Sequence, residues 1–158
     1  MTYVFDTSAF ITLKHFYPSA FPSLWTGLEN LIGSGELISV REVLNELGNY
    51  NDVDFIQQWA KDHKKIFTTP AQSELLLVQK VLAVPHFQAL ISGRALLKGT
   101  PVADPFVIAA AMALGEDGSV VTQEQMKPNA AKIPNVCDHF KVKCVDLEKF
   151  MAAQKWTF

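Results

Sequence analysis

The chain has 158 residues, with 14 Lys and Arg against 16 Asp and Glu, and a formal net charge of -2. This length predicts one domain over residues 1–158, with a core large enough to need no disulfide staples. A hydrophobic share of 49% argues against disorder, and the balanced charge excludes nucleic-acid binding through a basic surface. If the ligand is a nucleic acid, a group other than the side chains must supply positive charge at the phosphates.

The cysteines and the apolar segments exclude further classes of protein. Cys137 and Cys144 are the only cysteines, too few for a disulfide framework and without zinc-ligand spacing, so we expect buried, reduced thiols. The N-terminus lacks the basic region of a signal peptide. The longest apolar stretch, from Phe106 to Leu114, is far too short for a membrane span. These features predict a soluble, cytoplasmic protein with no membrane partner.

Short apolar strands and amphipathic helices alternate along the chain. Periodicity, capping residues and terminal glycines predict the following elements in chain order: strand Thr2–Phe5, helix Ala9–Leu13, helix Pro18–Ile32, strand Leu37–Val40, helix Arg41–Leu47, helix Asp52–Lys61, helix Gln72–Leu82, helix Phe87–Leu97, helix Ala103–Leu114, strand Ser119–Thr122, helix Asn135–Phe140, strand Val142–Val145 and helix Leu147–Gln154. Strands that are apolar on both faces indicate a parallel sheet covered by helices. The predicted fold is therefore a three-layer α/β/α sandwich with a central, mostly parallel sheet.

Acidic residues recur where such a fold brings strand ends together. Asp6 follows the first strand, Glu42 and Glu46 lie in the helix after the second, Asp104 opens the most apolar helix, and Glu124 follows the third strand. Parallel α/β sheets bind ligands outside the carboxyl ends of their strands. With no basic residue interleaved among these acids, we expect a cleft lined by uncompensated carboxylates.

Carboxylates gathered in one cleft repel one another unless a cation lies between them. Hard oxygen ligands, without His or Cys, point to Mg²⁺ or Mn²⁺ rather than to zinc. Such a site can support hydrolysis of a phosphodiester. The cation would also supply the local positive charge that the side chains lack.

Each acid also has a structural explanation, and these alternatives stay open at this point. Asp6 and Asp104 are good helix N-caps, Glu42 suits the start of a helix dipole, and Glu124 suits an exposed loop. Phosphotransfer folds are less favoured, because a haloacid-dehalogenase-like enzyme would need an acid at Ser8. No Gly-rich phosphate loop follows any strand either.

Four motifs in register resemble those of PIN-domain ribonucleases, in particular toxins of the VapC type and related short prokaryotic PIN-like proteins. The matching pieces are Val4–Ile11, Ile38–Val40 leading to Glu46-Leu47, Asp104 with Phe106–Ala111, and Val120–Glu124. Together they span almost the whole chain. Glu124 departs from the family pattern, in which Asp is usual, and either Glu42 or Glu46 could be the ligand of the second motif.

The resemblance implies a parallel α/β/α fold and an Mg²⁺- or Mn²⁺-dependent nuclease. Carried onto this chain, it implies that the catalytic and metal-ligating residues are Asp6, Glu46, Asp104 and Glu124, with Thr7, Ser8, Thr122 and Glu42 as supporting residues. It also implies an RNA substrate, a cognate antitoxin protein and a homodimer.

Two functions therefore follow as hypotheses. The first is a metal-dependent endoribonuclease that hydrolyses RNA phosphodiesters and acts as the toxin of a toxin–antitoxin pair. The alternative is a catalytically degenerate PIN-like binding module that acts through protein–protein or RNA contacts, which Glu124 in place of Asp would favour.

Overall fold

A five-stranded sheet organises the protein. The computed structural model describes residues 1–50, 55–91 and 102–158. Within these ranges the strands are β1 (Thr2–Phe5), β2 (Leu37–Val40), β3 (Phe67–Thr68), β4 (Gly118–Val121) and β5 (Lys143–Val145). They lie in the order β3-β2-β1-β4-β5, and every neighbouring pair is parallel.

Helices flank this sheet. In the described ranges the α-helices are α1 (Thr7–Leu13), α2 (Pro22–Ser34), α3 (Arg41–Gly48), α4 (Phe55–Asp62), α5 (Gln72–Leu82), α6 (Asp104–Leu114), α7 (Ile133–Phe140) and α8 (Leu147–Ala153), and short 3-10 segments cover Lys64–Ile66, Pro85–Leu90 and Gly115–Asp117. α1, α3 and α4 pack on one another, while α5 and α7 pack against α6. Crossovers between parallel strands are almost always right-handed. The strand order runs one way from β1 to β3 and the other way from β4 to β5, so the two groups lie on opposite faces of the sheet. The predicted three-layer sandwich is confirmed.

The structure corrects several of the predicted boundaries. β3 was not predicted, because two residues are too few to show a period. The helix expected over Phe87–Leu97 is wrong at its start, where Pro85–Leu90 forms a 3-10 helix, and residues 92–97 lie outside the described residues. α2 begins at Pro22 rather than Pro18, because a turn comes first, in which the Ala20 and Phe21 amides donate to the Tyr17 carbonyl.

Smaller shifts affect the remaining elements. α4 is described from Phe55, and residues 52–54 of the predicted helix lie outside the described ranges. α7 begins at Ile133, two residues before the predicted start, with Pro134 in its first turn. β4 ends at Val121, so Thr122 is the first residue after the strand and belongs to the cleft rather than to the sheet.

The core surrounds β1 and α6. Phe5 of β1 is fully buried, with its ring centroid 5.4 Å from that of Phe10 and 5.0 Å from that of Phe150. α6 is apolar on every side, and its residues Val107–Ala111 are all buried. None of the helices in the described ranges has the length and apolar character needed to cross a bilayer.

The contact between α6 and β4 leaves no room for a side chain at Gly118. A Cβ at this position would lie 2.5 Å from the Ala111 carbonyl oxygen, which is backbone and cannot swing away. Gly33, on the exposed surface of α2, has no neighbour within 4 Å of such an atom. The two glycines therefore form a matched pair.

We expect Gly118→Ala to lower the free energy of unfolding by about 1–3 kcal/mol through overpacking. Gly33→Ala should raise it by about 0.5–1 kcal/mol, since alanine is the better helix former. Chemical denaturation of both variants measures the difference. Equal stability of the two variants would show that α6 does not pack on β4 as closely as described.

Candidate functional site

The predicted acids meet between β1 and β4, where the order in which the strands are added to the sheet changes sides. From β1 the chain proceeds to β2 and β3, and it then crosses to β4 and β5 on the other side. This reversal leaves a crevice at the carboxyl ends of β1 and β4, which is where parallel α/β folds bind ligands. Phe5 pairs with Val121, so Asp6 and Thr122 adjoin at the floor of the crevice.

Asp6 is buried at this edge, with only 3% of its surface exposed. It is the N-cap of α1. One of its oxygens, Oδ2, accepts hydrogen bonds from the Ser8 hydroxyl at 2.7 Å, the Ser8 amide at 3.3 Å and the Thr122 hydroxyl at 3.0 Å. The other oxygen accepts none of these three bonds, so the cap leaves part of the carboxylate available to the crevice.

Ser8 and Thr122 extend these bonds to the chain that follows β4. Their hydroxyls lie 3.2 Å apart. The Gln123 amide donates to the Ser8 hydroxyl at 2.9 Å, and the Glu124 amide donates to the Thr122 hydroxyl at 3.1 Å. Both residues therefore lie where the sequence predicted polar supports, and they tie the ends of β1 and β4 together.

Glu46 reaches the same edge from α3. Its Oε2 accepts a 2.5 Å hydrogen bond from the Thr7 hydroxyl, and its Oε1 accepts one from the Ala103 amide at 2.9 Å. Burial raises the pKa of Glu46, the two hydrogen bonds lower it, and the charges of Asp6 and Glu124 raise it again, with a net upward shift. Three secondary-structure elements thus converge on this carboxylate.

Glu42 lies one turn before Glu46 but has different surroundings. It is 1% exposed, and its Oε1 accepts a hydrogen bond from the Arg41 guanidinium at 3.0 Å. Its Oε2 is buried and has no hydrogen-bond partner within the part of the chain that the structure describes. Of the two glutamates, Glu46 is the one whose charge acts on Asp104. The structure therefore places Glu46, and not Glu42, with the other predicted ligands.

Asp104 is the first residue of α6, and Ala103 occupies the N-cap position. Asp104 opens the helix as predicted, and the structural alternative, in which Asp104 is the N-cap, is wrong. Burial raises the pKa of Asp104 to about 8, with further upward contributions from Asp6, Glu124 and Glu46 and a smaller downward one from Lys132. Burial and three neighbouring negative charges therefore outweigh the one nearby cation in setting the protonation of Asp104.

Glu124 links the crevice to α7. Its Oε2 accepts a hydrogen bond from the Ile133 amide at 2.8 Å, at the start of that helix. Glu124 is half-buried. The structural alternative, in which Glu124 is an exposed loop residue, is therefore wrong. The adjacent Lys132 is the cation that acts on Asp104. The sequence did not predict this lysine as part of the site, because it lies in no motif and only the turn into α7 brings it near.

The donor set has the chemistry that a hard divalent cation requires. All four acids offer carboxylate oxygens, and their mutual effects on pKa show that they share one region. Within the described ranges, however, no three acidic, His or Cys side chains already form a set of metal ligands. Glu46 and Glu124 direct oxygens to backbone amides instead. The residues fit Mg²⁺ or Mn²⁺ in type and charge, and cation binding competes with these hydrogen bonds.

The raised pKa of Asp104 predicts how stability depends on pH. The folded protein holds this proton to about pH 8, whereas the unfolded chain releases it near the ordinary value of 3.8. Between these values the folded state binds more protons, so the free energy of unfolding falls as the pH rises, by up to about 1.4 kcal/mol per pH unit.

We expect Asp104→Asn to remove this dependence and to be more stable than wild type at pH 8 without metal. Thermal melts from pH 4.5 to 8.5 in EDTA test it, with the exposed Asp117→Asn as control. If the Asp104→Asn and wild-type curves run parallel, Asp104 does not carry the proton.

Comparisons with known proteins give one match. No curated protein and no solved structure matched the chain. A protein-family model described as a domain of unknown function, DUF4411, matches residues 3–158. The match includes all four acids of the crevice and both supporting hydroxyls that bind Asp6. Since it covers nearly the full length, the chain belongs to the DUF4411 family.

Proposed function

We propose that the protein is an Mg²⁺- or Mn²⁺-dependent endoribonuclease that hydrolyses RNA phosphodiesters. One observation carries the proposal. Four carboxylates face one crevice at the switch point of a parallel sheet, and burial together with the charges of the other three raises the pKa of Asp104 to about 8. A protein that keeps such a cluster gains from it only if a cation neutralises the charge.

The residues divide into ligands and supports. Asp6 and Asp104 would hold the main cation, with Glu46 and Glu124 assisting. When bound, such a cation polarises phosphate oxygens and lowers the pKa of a water molecule. Ser8 and Thr122 hold Asp6 in one orientation.

The remaining residues act through Glu46 and Glu124. Thr7 orients Glu46 through a hydrogen bond to Oε2. Glu124 binds the Ile133 amide and so holds the start of α7 against the crevice. Without a cation, the charged carboxylates of the crevice repel the phosphodiester, which makes the proposed activity strictly dependent on metal.

The choice of RNA and the proposed partners depend on the resemblance to PIN-domain ribonucleases of the VapC type. The four motifs that carry it contribute Asp6, Glu46, Asp104 and Glu124 to one crevice. By the same resemblance, the protein would act as a toxin restrained by a cognate antitoxin and would form a homodimer.

A second candidate function is a binding module that has lost catalysis. Its support is that two of the acids accept hydrogen bonds from backbone amides. Glu46 accepts one from Ala103, and Glu124 accepts one from Ile133. Carboxylates that satisfy backbone donors have a structural role even without a cation. Metal binding separates the two candidates without knowledge of the substrate.

Calorimetry with Mn²⁺ is the first test. We expect wild type to bind with an affinity that rises as the pH is raised towards 8, because the cation displaces the proton of Asp104. Asp6→Asn should weaken binding by roughly tenfold or more, while its melting temperature in EDTA stays close to wild type, since asparagine is also a good N-cap. No binding at millimolar Mn²⁺ would favour the binding module.

Glu46→Gln and Glu42→Gln form a matched pair for the activity, with the same change one turn apart on α3. With total cellular RNA and Mn²⁺, Glu46→Gln should reduce the rate of cleavage by roughly 10²-fold or more, the loss of several kcal/mol of stabilisation. Glu42→Gln should cleave at the wild-type rate, because Glu42 pairs with Arg41 at 3.0 Å, whereas Glu46 is the glutamate whose charge acts on Asp104. If Glu42→Gln loses cleavage and Glu46→Gln keeps it, the ligand is Glu42 rather than Glu46.

A further inference from the structure

Two side-chain contacts join α1 to α3, one at the crevice and one farther from it. At the crevice, the Thr7 hydroxyl donates to Glu46 Oε2 at 2.5 Å. Farther along, the Lys14 ammonium lies over the ring of Tyr50, 5.6 Å from its centroid. Thr7 opens α1 and Lys14 is its C-cap, about two turns later, so both lie on the same side of that helix. We call the line formed by these four residues the α1–α3 seam.

Tyr50 stands on a fixed backbone one turn beyond Glu46. After the end of α3 the chain continues in a turn, in which the Tyr50 amide donates to the Leu47 carbonyl at 3.3 Å. The Gln57 side chain donates to the Tyr50 carbonyl at 2.7 Å. Although Lys14 lies over its ring, Tyr50 is still 42% exposed. The ring is therefore held close to the crevice and remains accessible.

A second exposed ring, that of Tyr17, follows Lys14 closely in the chain. The residue is 62% exposed, and its ring centroid lies 5.9 Å from that of Phe55. Its carbonyl accepts a hydrogen bond from the Phe21 amide at 2.9 Å. This turn fixes the backbone of Tyr17, so little freedom would be lost when a ligand covers the ring.

Exposed rings beside a cation have the chemistry that binds single-stranded nucleic acid. Unpaired bases stack on aromatic side chains, while basic residues follow the phosphates. The α1 helix has 7 residues and is therefore about 10 Å long, which corresponds to roughly three stacked nucleotides at 3.4 Å each. A strand whose phosphate lies in the crevice thus reaches both rings within a few nucleotides.

We propose that the α1–α3 seam, extended by Tyr17, binds the unpaired strand of RNA next to the scissile bond. Tyr50 and Tyr17 stack on bases of that strand, and Lys14 contacts a phosphate between them. Duplex RNA does not engage the rings, because its bases are paired and stacked on one another. The choice of RNA rests on the proposed nuclease function, whereas the stacking rests on the two rings and their position.

A protein partner is the competing occupant of this surface. Stable protein interfaces cover about 800 Å² on each partner and have an apolar centre surrounded by a polar rim. Here a carboxylate, a ring, a cation and a second ring follow one another from Glu46 to Tyr17. This order suits a chain that presents phosphates and bases in turn.

Fluorescence anisotropy of a labelled, single-stranded RNA of about 12 nucleotides tests the proposal on the full chain. Ca²⁺ replaces Mn²⁺ in this assay, to neutralise the acids of the crevice. We expect Tyr50→Ala and Tyr17→Ala each to raise the Kd by roughly fivefold or more, because each removes one stacked base. Tyr50→Phe and Tyr17→Phe should stay within about twofold of wild type, since a phenyl ring also stacks.

The control for a general loss of apolar surface is Leu76→Ala. Leu76 is 58% exposed on α5, which lies on the other face of the sheet, and this variant should bind the RNA as wild type does. Melting curves confirm that each variant is folded, and the phenylalanine variants test stacking even if an alanine variant unfolds. Alanine variants that bind the single strand as tightly as wild type would overturn the proposal.

Salt dependence and a duplex probe separate the roles of the cation and the rings. Lys14→Gln should reduce the slope of log K against log salt by about 0.7, the loss of one phosphate contact on a single strand. Duplex RNA of the same sequence should bind equally to wild type and to the alanine variants. If the tyrosine substitutions leave RNA binding intact but change the molar mass measured by light scattering, the rings form a protein interface and the proposal is wrong.

Cleavage kinetics with Mn²⁺ distinguish this proposal from the nuclease proposal. Tyr50→Ala should raise KM and leave kcat close to wild type, because stacking holds the ground state and the transition state equally. Wild type that binds the single strand through the rings but never cleaves it would support the seam and contradict the nuclease. Cleavage by both alanine variants with an unchanged KM would contradict the seam and leave the nuclease intact.

Discussion

A carboxylate buried at the end of a central strand must find hydrogen-bond donors, and this requirement organises the crevice. Asp6 follows β1, the strand in the middle of the sheet, and is 3% exposed there. Its donors come from α1 and from the residue after β4. Satisfying one carboxylate therefore fixes the start of a helix, the relative position of two strand ends and the direction of the chain towards Glu124.

The other three acids show a gradient of satisfaction. Glu46 has a hydroxyl and an amide donor, and Glu124 has one amide. Asp104 receives no hydrogen bond from the described residues. Its only favourable interaction with the backbone there is with the helix dipole at the start of α6. Burial without donors makes the charged form costly, and for that reason the cluster's repulsion is concentrated on Asp104. The fold holds three of the acids in place and leaves the fourth in conflict with its surroundings.

The architecture could be predicted from the sequence because its signals are local. Four short apolar strands separated by helices allow little except a covered parallel sheet, and the same pattern placed Asp6, Glu46, Asp104 and Glu124 at one edge. The order of the strands could not be derived in this way. Nothing local in the sequence indicates that β4 lies beside β1 and so brings Thr122 to Asp6. β3 escaped prediction because it has only two residues, and its pairing with β2 is decided by tertiary contacts.

The details of the site depended on geometry that no motif encodes. To choose between Glu42 and Glu46, one must know that Glu46 accepts a hydrogen bond from the Ala103 amide, whereas Glu42 accepts one from Arg41. Lys132 and the Ile133 amide belong to a helix start that is far in sequence from Asp6, Glu46 and Asp104. The N-cap of α6 falls on Ala103 because the helix begins at Asp104, one residue earlier than it would with Asp104 as the cap. Such differences of one residue or one turn are decided by packing.

The double use of Asp6 has a consequence for how substitutions accumulate in evolution. As the N-cap of α1 and the acceptor for Ser8 and Thr122, Asp6 is under selection for folding whether or not a reaction takes place. A descendant that had lost its chemistry would still be expected to keep it. Asp104 is in the opposite position, because it caps no helix, and its burial beside the other acids makes its charged form costly to the folded protein. Its retention would record selection for chemistry, and its drift to a neutral residue would be the earliest trace of a lost activity.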